Sequence, residues 1–279
     1  MIYLNKLYDF AKNYDVILCD IWGVLHDGVA TYSQTVEELK QLKQQGKYIV
    51  LITNSPRLHS EITQDIAAIG IDKLVYHALV TSGDATLQLM QMGPRKFFYI
   101  GSPERVSLTE KLELELCEEQ EAQAVLCTGL SPEIGFQLED YEQLLVRLRS
   151  RNLPFICANP DIFVLSGGRH IWCAGALARA YSQLGGRVHV AGKPHLAIYE
   201  LAQSHFEQAL GKVEKSQILA IGDGFLTDIK GAENFGVDSV FVARGMHQRE
   251  YVVNGVVDKN KLESFIKEIG FIPKAIWGV

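Results

Sequence analysis

The sequence predicts an α/β protein whose core is a doubly wound parallel β-sheet. Short runs of apolar, strand-forming residues alternate along the chain with longer stretches whose apolar residues recur at helical spacing. The chain opens with three such strands separated by two helices, and this βαβαβ order favours a parallel sheet with helices on its faces. Gly46 and Gly70 follow the two helices, and glycine at this position is typical of helix ends.

The predicted elements follow one another in a regular order. We expect strands over residues 16–19, 48–52, 78–80, 97–100, 124–127, 155–158, 189–190, 218–221 and 239–242. Helices are predicted over residues 33–45, 58–69, 105–117, 138–151, 173–184 and 196–210. The pattern leaves open whether the middle units extend one sheet or form a second domain, and the length of 279 residues favours two domains.

Composition and charge exclude several classes of function. A formal net charge of -6 provides no electrostatic footprint for nucleic acid or for an anionic membrane, so any anion site must be built locally. The N-terminal segment lacks the apolar run of a signal peptide, and the apolar runs elsewhere have the length of strands. Five cysteines without a C-x-x-C pair are typical of a reducing compartment, so we expect a cytoplasmic protein.

Polar residues stand where the predicted strands end. Asp20 follows the first buried strand, Thr53 and Asn54 follow the second, and Asp223 follows a late one. Lys193 lies in a Gly-Lys-Pro segment just before a helix. Each residue alone is explained as a turn former, a helix cap or a solvated side chain. Together they favour a binding site, because ligands of open α/β sheets bind at the carboxyl ends of the strands.

The chemistry of these side chains suits a phosphorylated substrate. The carboxylate of Asp20 can attack phosphorus and form an aspartyl-phosphate, which divides one difficult step into two easier ones. The phosphoryl oxygens then need donors. The hydroxyl of Thr53, the amide of Asn54 and the ammonium of Lys193 can supply them.

The acidic residues also predict a metal. Asp20 and Asp223 repel each other unless a cation lies between them, and Mg²⁺ is typically bound by one or two carboxylates, water and substrate phosphate. Asp228 would either orient a metal-bound water or hold Lys193. The sequence therefore predicts a Mg²⁺ cofactor and a small-molecule phosphorylated substrate, and it does not decide between a monomer and a homodimer.

The order of these segments resembles the haloacid dehalogenase-like (HAD) hydrolase superfamily, in particular its 4-nitrophenyl phosphatase-like and NagD-like subclass IIA. The resemblance covers nearly the whole chain. It is carried by Asp20–Leu25 with Gly28, Thr53–Ser55 with Arg57, Thr81–Gly83, Asn159–Asp161, Gly192–Pro194, and Gly222–Gly224 with Thr227–Ile229.

The resemblance implies a Rossmann-like catalytic core formed by residues 1–83 and 187–279. Residues 84–186 would form an inserted α/β cap that covers the site and selects the substrate. The implied metal ligands are Asp20, the backbone carbonyl of Trp22, and Asp223. The implied activity is Mg²⁺-dependent hydrolysis of a small phosphorylated metabolite, with Asp20, Lys193 and Thr53 as catalytic residues.

Trp22 departs from the pattern of the phosphatases that the chain resembles. Those enzymes carry a second Asp there, which protonates the leaving group and later activates water, whereas an indole only donates a hydrogen bond. His26, with an ordinary pKa of about 6.5, and Asp27 are the nearest titratable replacements, although each is also explained as a solvated flap residue. Trp22 itself can pack against the cap or stack on a substrate ring. His195 is explained as an ordinary residue at a helix start.

Two other functions stay open. Dehalogenases of the superfamily resemble the chain in having an aromatic residue at position 22, but they need no metal and usually lack the Gly-Asp pair at 222–223. A non-catalytic protein that binds a phosphate ligand without turnover is the second alternative, and Trp22 is the residue that favours it. Halide release without Mg²⁺ would indicate the first, and tight binding of a phosphate ester without hydrolysis would indicate the second.

Overall fold

The computed structural model describes residues 1–28, 30–103, 107–166 and 169–278. These residues form two compact units. The first unit comprises the described residues of Met1–Thr53, Thr63–Val80 and Lys193–Val279, and the second those of Asn54–Ile62 and Thr81–Gly192.

The described residues form sixteen strands, numbered β1 to β16 in chain order: Ile2–Leu4, Val16–Asp20, Tyr48–Thr53, Ala78–Thr81, Lys96–Ile100, Glu115–Leu116, Ala124–Cys127, Phe155–Cys157, Phe163–Ser166, Arg169–Trp172, Val188–Val190, Ile218–Gly222, Asp238–Val242, Val252–Val253, Val256–Val257 and Ala275–Trp277.

They also form eleven α-helices, numbered α1 to α11: Leu7–Ala11, Ser33–Gln44, His59–Ala68, Ser82–Met90, Ser107–Lys111, Glu142–Ser150, Ala174–Gln183, Leu196–Leu210, Lys230–Phe235, Gln248–Tyr251 and Lys259–Ile269. Leu138–Tyr141 and Lys215–Gln217 are 3₁₀ turns, and Phe225–Ile229 is a π-helical turn. None of the helices that the structure describes is long and apolar enough to cross a membrane.

The first unit is built on a seven-stranded sheet in the order β1-β16-β13-β12-β2-β3-β4. Neighbouring strands from β1 through β3 pair in parallel, as the sequence predicts. Every residue of β2 is buried, because an interior strand of a parallel sheet is covered on both faces. Strand β2 lies between β3 and β12. Strand β3 is the next strand after β2 in the sequence, whereas β12 comes from the C-terminal part of the chain. The carboxyl end of β2 is thus the switch point at which α/β sheets bind ligands.

The second unit has its own five-stranded sheet in the order β11-β8-β7-β5-β6, also paired in parallel, so the middle elements do not extend the first sheet. Helices α6 and α7 pack on it through buried side chains that include Leu144, Leu145, Leu148, Leu177 and Tyr181. Strands β9 and β10 pair in antiparallel orientation. Asn54–Ile62 also belongs to this unit. Its interpretation as a substrate-selecting cap over residues 84–186 stays a prediction.

The predicted helix over residues 105–117 is wrong in its second half. Helix α5 ends at Lys111, and the chain then turns at Glu113, whose φ of 51° lies in the left-handed region. Strand β6 follows and pairs with β5 at the edge of the second sheet. The apolar spacing of this segment fits a helix, but pairing with an open sheet edge overrides the local pattern. Residues 105 and 106 lie outside the described residues.

Candidate active site

Two neighbouring strands bring the first two predicted acidic residues together. Asp20 is the last residue of β2, and Asp223 directly follows the last residue of β12. The register of these parallel strands pairs Cys19 with Ile221, so both carboxylates leave the sheet at the same edge. Both are buried, with 8% of Asp20 and 4% of Asp223 exposed.

Asp228 completes a cluster of three carboxylates. It lies in the π-helical turn that follows Asp223, and one carboxylate oxygen from each of Asp20, Asp223 and Asp228 lies within 4.8 Å of the others. Hard divalent cations such as Mg²⁺ prefer this all-oxygen type of donor set. The residues present therefore fit a divalent metal.

Lys193 lies within the same group. Its Nζ donates to Oδ1 of Asp20 at 2.6 Å and to Oδ1 of Asp228 at 2.7 Å, with the carbonyl of Ile52 at 3.4 Å. Only 3% of the residue is exposed. Asp20, Asp223, Asp228 and Lys193 are called the acidic cluster below. Its three carboxylates and one ammonium have a net charge of two negative when all are ionised, and this charge matches a divalent cation.

Burial and charge–charge interactions shift the pKa values of Asp20 and Lys193 in the acidic cluster. Burial, followed by repulsion from Asp228, raises the pKa of Asp20 well above its usual value, while Lys193 opposes the shift. Burial disfavours the charge of Lys193, but attraction to Asp20 and Asp228 raises its pKa well above its usual value. Lys193 is thus held in its cationic form by the two carboxylates that it contacts.

Asp228 is fixed by contacts on both of its oxygens. Oδ1 accepts from Lys193, and Oδ2 accepts from the backbone N–H of Gly224 at 3.0 Å and from the hydroxyl of Thr227 at 3.3 Å. Of the two roles considered for Asp228, the structure shows the contact with Lys193.

Thr53 and Asn54, the predicted phosphate ligands, belong to different units. Thr53 is the buried last residue of β3 and follows Ile52, the register partner of Asp20. Asn54 begins the second unit, where its Nδ2 donates to Oδ1 of Asp161 at 2.8 Å. The backbone N–H of Asp161 in turn donates to Oδ1 of Asn159 at 3.1 Å. Asn159–Asp161 therefore orients the amide of Asn54, whose role toward phosphate stays a prediction.

The segment that follows Asp20 folds into a compact turn, called the 22–28 turn. The Trp22 and His26 rings meet edge to face with centroids 5.1 Å apart. The indole also covers Gly28, since a Cβ atom at Gly28, where φ is 86°, would overlap Cη2 of Trp22. The half-buried side chain of Trp22 thus packs within its own turn.

Hydrogen bonds from nearby backbone groups also constrain His26 and Asp27, the two candidate replacements for the missing acid/base residue. Nδ1 of His26 accepts from the N–H of Gly28 at 3.0 Å, and burial lowers the pKa of His26 below its usual value. This contact leaves only Nε2 of a neutral His26 for a substrate. Oδ1 of Asp27 accepts from the N–H of Ala30 at 2.8 Å. His195 is the residue preceding α8, as predicted.

Sequence reasoning missed one partner of Asp223. The backbone N–H of Met246 donates to Oδ2 of Asp223 at 2.7 Å. Met246 lies in the loop that follows β13, the strand next to β12. Gly245 at this sheet edge was the only signal in the sequence, because a glycine after a strand often marks a close approach of the backbone.

Known protein families and solved structures are similar to this chain. A family model described as haloacid dehalogenase-like hydrolase matches residues 17–115, and a second, described as HAD-hydrolase-like, matches residues 190–262. A crystal structure of a hydrolase of the haloacid dehalogenase-like family from Brucella suis 1330 superposes with a TM-score of 0.87. The two sequences are 46% identical, and the superposition covers 98% of this chain and 98% of the Brucella chain.

Two further similarities are more distant. An acid sugar phosphatase from Staphylococcus haemolyticus is 26% identical over 248 residues, which are 84% of this chain and 87% of the relative. NagD from E. coli K-12 shares the fold with a TM-score of 0.69 at 21% identity, covering 95% of this chain and 96% of NagD. The superfamily predicted from the sequence is confirmed: the chain belongs to the haloacid dehalogenase-like hydrolases.

Proposed function

We propose that this protein is a Mg²⁺-dependent phosphohydrolase that acts on a small phosphorylated metabolite through an aspartyl-phosphate at Asp20. One observation carries the proposal: a buried Asp20 at the switch point of the sheet, in contact with Lys193 and within one cluster with Asp223 and Asp228. The acid sugar phosphatase relative supports a small phosphorylated molecule as the substrate class.

Asp20 would act as the nucleophile. One of its carboxylate oxygens forms a bond to phosphorus while the bond between phosphorus and the leaving-group oxygen breaks, and the electron pair of that bond departs with the leaving group. Water then attacks the aspartyl-phosphate and releases inorganic phosphate, which returns Asp20 to its carboxylate form.

Lys193 and Thr53 would bind the transferred phosphoryl group. Lys193 already lies 2.6 Å from Asp20, so its charge is in place to stabilise the negative phosphoryl oxygens next to the nucleophile. Because Asp228 contacts the same Nζ, it would keep Lys193 in this position during turnover. Asn54 would supply a further donor from an amide oriented by Asp161.

Asp20, Asp223 and the backbone carbonyl of Trp22 would hold the metal. When bound, Mg²⁺ supplies positive charge that polarises a phosphoryl oxygen and offsets the repulsion between the carboxylates. The raised pKa of Asp20 fits this role, because a nearby cation opposes the repulsion that contributes to the shift.

Trp22 would restrict the range of substrates. With indole at the position of the usual acid/base Asp, no side chain at position 22 can protonate the leaving group or activate water. The proposed enzyme therefore works best on substrates whose leaving group departs without a proton. We infer that the substrate is a metabolite that is itself a good phosphoryl donor. We also infer that the protein acts in the cytoplasm.

A second candidate function is a non-catalytic protein that binds a phosphate ligand. The packing of Trp22 onto Gly28 and His26 favours it, because this packing fills the turn that would otherwise carry the acid/base residue. The metal-independent dehalogenase alternative has less support. The acidic cluster brings three carboxylates together as a cation site would, and dehalogenase chemistry needs no cation.

The decisive experiment is a panel of aryl phosphates, sugar phosphates and acyl phosphates assayed with Mg²⁺ and with EDTA. Asp20→Asn is the matched control, because it keeps the size of the side chain and removes the nucleophilic oxygen. Phosphate release that needs both Mg²⁺ and Asp20 supports the proposal. Saturable binding of the same esters without release favours the non-catalytic candidate. Halide release from 2-haloacids in EDTA would favour the dehalogenase.

A further inference from the structure

The loop after β13 reaches back to Asp223 and forms the 243–247 turn, from Ala243 to His247. The backbone N–H of Met246 in this turn donates to Oδ2 of Asp223 at 2.7 Å. A hydrogen bond from a backbone donor to an ionised carboxylate is short and directional. It therefore fixes the orientation of the carboxylate without adding a charge that competes with a cation.

Two glycines let the backbone come close to Asp223. A Cβ atom at Gly245 would overlap Oδ2 and Cγ of Asp223, and a Cβ atom at Gly23 would overlap the same two atoms. Gly23 also has a φ of 79°, which other residues rarely adopt. The carboxylate of Asp223 thus lies against two backbone segments without side chains. A side chain at Gly245 would displace the carboxylate or the turn.

The 243–247 turn is itself anchored at both ends. The hydroxyl of Tyr251 donates to the carbonyl of Ala243 at 3.0 Å. At the other end, the ring of His247 packs on Phe225 and Phe265, with centroid distances of 5.6 and 5.4 Å. Phe225 begins the π-helical turn that carries Asp228, so one aromatic group supports both the turn and this acidic element.

The ring nitrogen of His247 indicates what holds this end of the turn. Its Nε2 is buried and has no hydrogen-bond partner among the described residues. An unpaired buried polar atom is unfavourable, so packing and the course of the turn hold the ring there.

We propose that Gly245 is a positioning residue for the metal ligand Asp223, and that His247 anchors the turn in which Gly245 lies. The absence of a side chain at 245 lets Met246 reach Oδ2, and this contact holds Asp223 in an orientation that presents it to Asp20 and the cation. The proposal rests on the proposed metal site and adds residues that do not touch the metal.

Mg²⁺ titration calorimetry on the full chain tests this role. Gly245→Ala should weaken Mg²⁺ binding by about 10–100-fold, the usual cost of losing a group that orients a metal ligand. Gly93→Ala is the matched control, because a Cβ atom there meets only ordinary contact at 3.7 Å, from the carbonyl of Met90. It should bind Mg²⁺ as the wild type does. Melting of the metal-free proteins shows whether the effect is confined to binding.

A double-mutant cycle distinguishes positioning from a general structural effect. If Gly245 acts through Asp223, Gly245→Ala should change the affinity less than about threefold in an Asp223→Asn background. The positioning role would be overturned if the fold-losses in Mg²⁺ affinity from the two single substitutions multiplied in the double variant. Equal Mg²⁺ affinity in folded Gly245→Ala and wild type would also overturn it. Absence of Mg²⁺ binding by the wild type would instead overturn the proposed metal site.

His247→Ala keeps the test decisive if Gly245→Ala does not fold. This variant removes the anchoring ring without placing any atom near Asp223. It should weaken Mg²⁺ binding by a smaller factor than Gly245→Ala, in the range of a few-fold to about 10-fold. Wild-type Mg²⁺ affinity in a folded His247→Ala would overturn the anchoring role.

Discussion

The acidic cluster and the 22–28 turn begin within two residues of each other and differ in almost every physical respect. The acidic cluster is buried, and its charged side chains fix one another at 2.6 and 2.7 Å. In the 22–28 turn, an indole packs on a glycine and a neutral imidazole. In the proposed function, the first region would bind the phosphoryl group and the cation, and position 22 in the second carries an indole where the usual acid/base Asp would stand. If the proposal holds, these two parts of catalysis are separable along one chain.

Loss of the proposed nucleophile should have the largest effect. Asp20→Asn should reduce turnover by more than about 10⁴-fold, because no other carboxylate in the acidic cluster is proposed to form the covalent bond. Turnover is measured with an aryl phosphate in saturating Mg²⁺. Residual activity within tenfold of the wild type would assign the nucleophile to another residue and remove the basis of the comparison.

Loss of the proposed metal ligand should have the next largest effect. Asp223→Asn should weaken Mg²⁺ binding by more than about 100-fold, since changes to groups that only orient a metal ligand already cost about 10–100-fold. Mg²⁺ at millimolar concentration should raise the melting temperature of the wild type by mass action and leave that of Asp223→Asn nearly unchanged. If Mg²⁺ shifts neither protein, the acidic cluster is not a metal site.

Lys193 should matter for both anion binding and folding. Lys193→Met removes the charge while keeping most of the side-chain volume, so vanadate binding should be lost. Because two buried carboxylates lose their partner, the free energy of unfolding should fall by about 3–5 kcal/mol. Calorimetry with vanadate and urea unfolding measure the two effects. Unchanged vanadate affinity would contradict the role of Lys193 in phosphate binding.

His26 should give the smallest effect, and it concerns the 22–28 turn alone. Burial lowers its pKa in the folded state, so the unfolded chain binds a proton more readily. Its contribution to stability is then complete above the unfolded pKa of about 6.5 and is lost as the pH falls through the lowered folded value.

His26→Asn should therefore lose less stability than the wild type between pH 7 and the lower pH at which His26 becomes protonated. The amide oxygen of Asn can accept the N–H of Gly28 in place of Nδ1. Urea unfolding across this pH range measures the difference. Parallel profiles for the two proteins would show that the turn does not depend on a neutral His26.

The carboxylates of Asp20 and Asp223 could be predicted to lie close together, because buried strands and the residues that follow them are recognisable locally in the sequence. Val16–Asp20 and Ile218–Gly222 are recognisable as buried strands, and parallel strands present their ends at one edge. The contact of Lys193 with Asp228 was only one of two roles open for Asp228, and its contact with Asp20 was not predicted, because contacts across 35 and 173 residues depend on tertiary packing.

Other features had no adequate local signal. The donor from Met246 to Asp223 is a backbone group, and its approach depends on the missing side chain at Gly245. The turn at Glu113 breaks a stretch with helical spacing because strand β6 pairs at a sheet edge, and the one-dimensional pattern does not show this pairing.

The difference between the two regions makes leaving-group dependence the most direct test. A positioned acid/base group typically contributes about 10²–10⁴-fold in rate. Without it, aryl and acyl phosphates should react readily, and alkyl phosphates should react slowly. Trp22→Asp should restore proton transfer and narrow the gap. Since removal of the indole leaves a cavity over Gly28, the melting temperature of this variant is checked first.

The measurement is kcat/KM with Mg²⁺ for a series of phosphates of rising leaving-group pKa, on the wild type and Trp22→Asp. We predict that the wild-type rate falls steeply along the series and that the rate of Trp22→Asp falls much less. A wild type that hydrolyses alkyl and aryl phosphates equally fast would contradict this account. It would show that another group, with His26 as the first to replace, supplies the proton that Trp22 cannot.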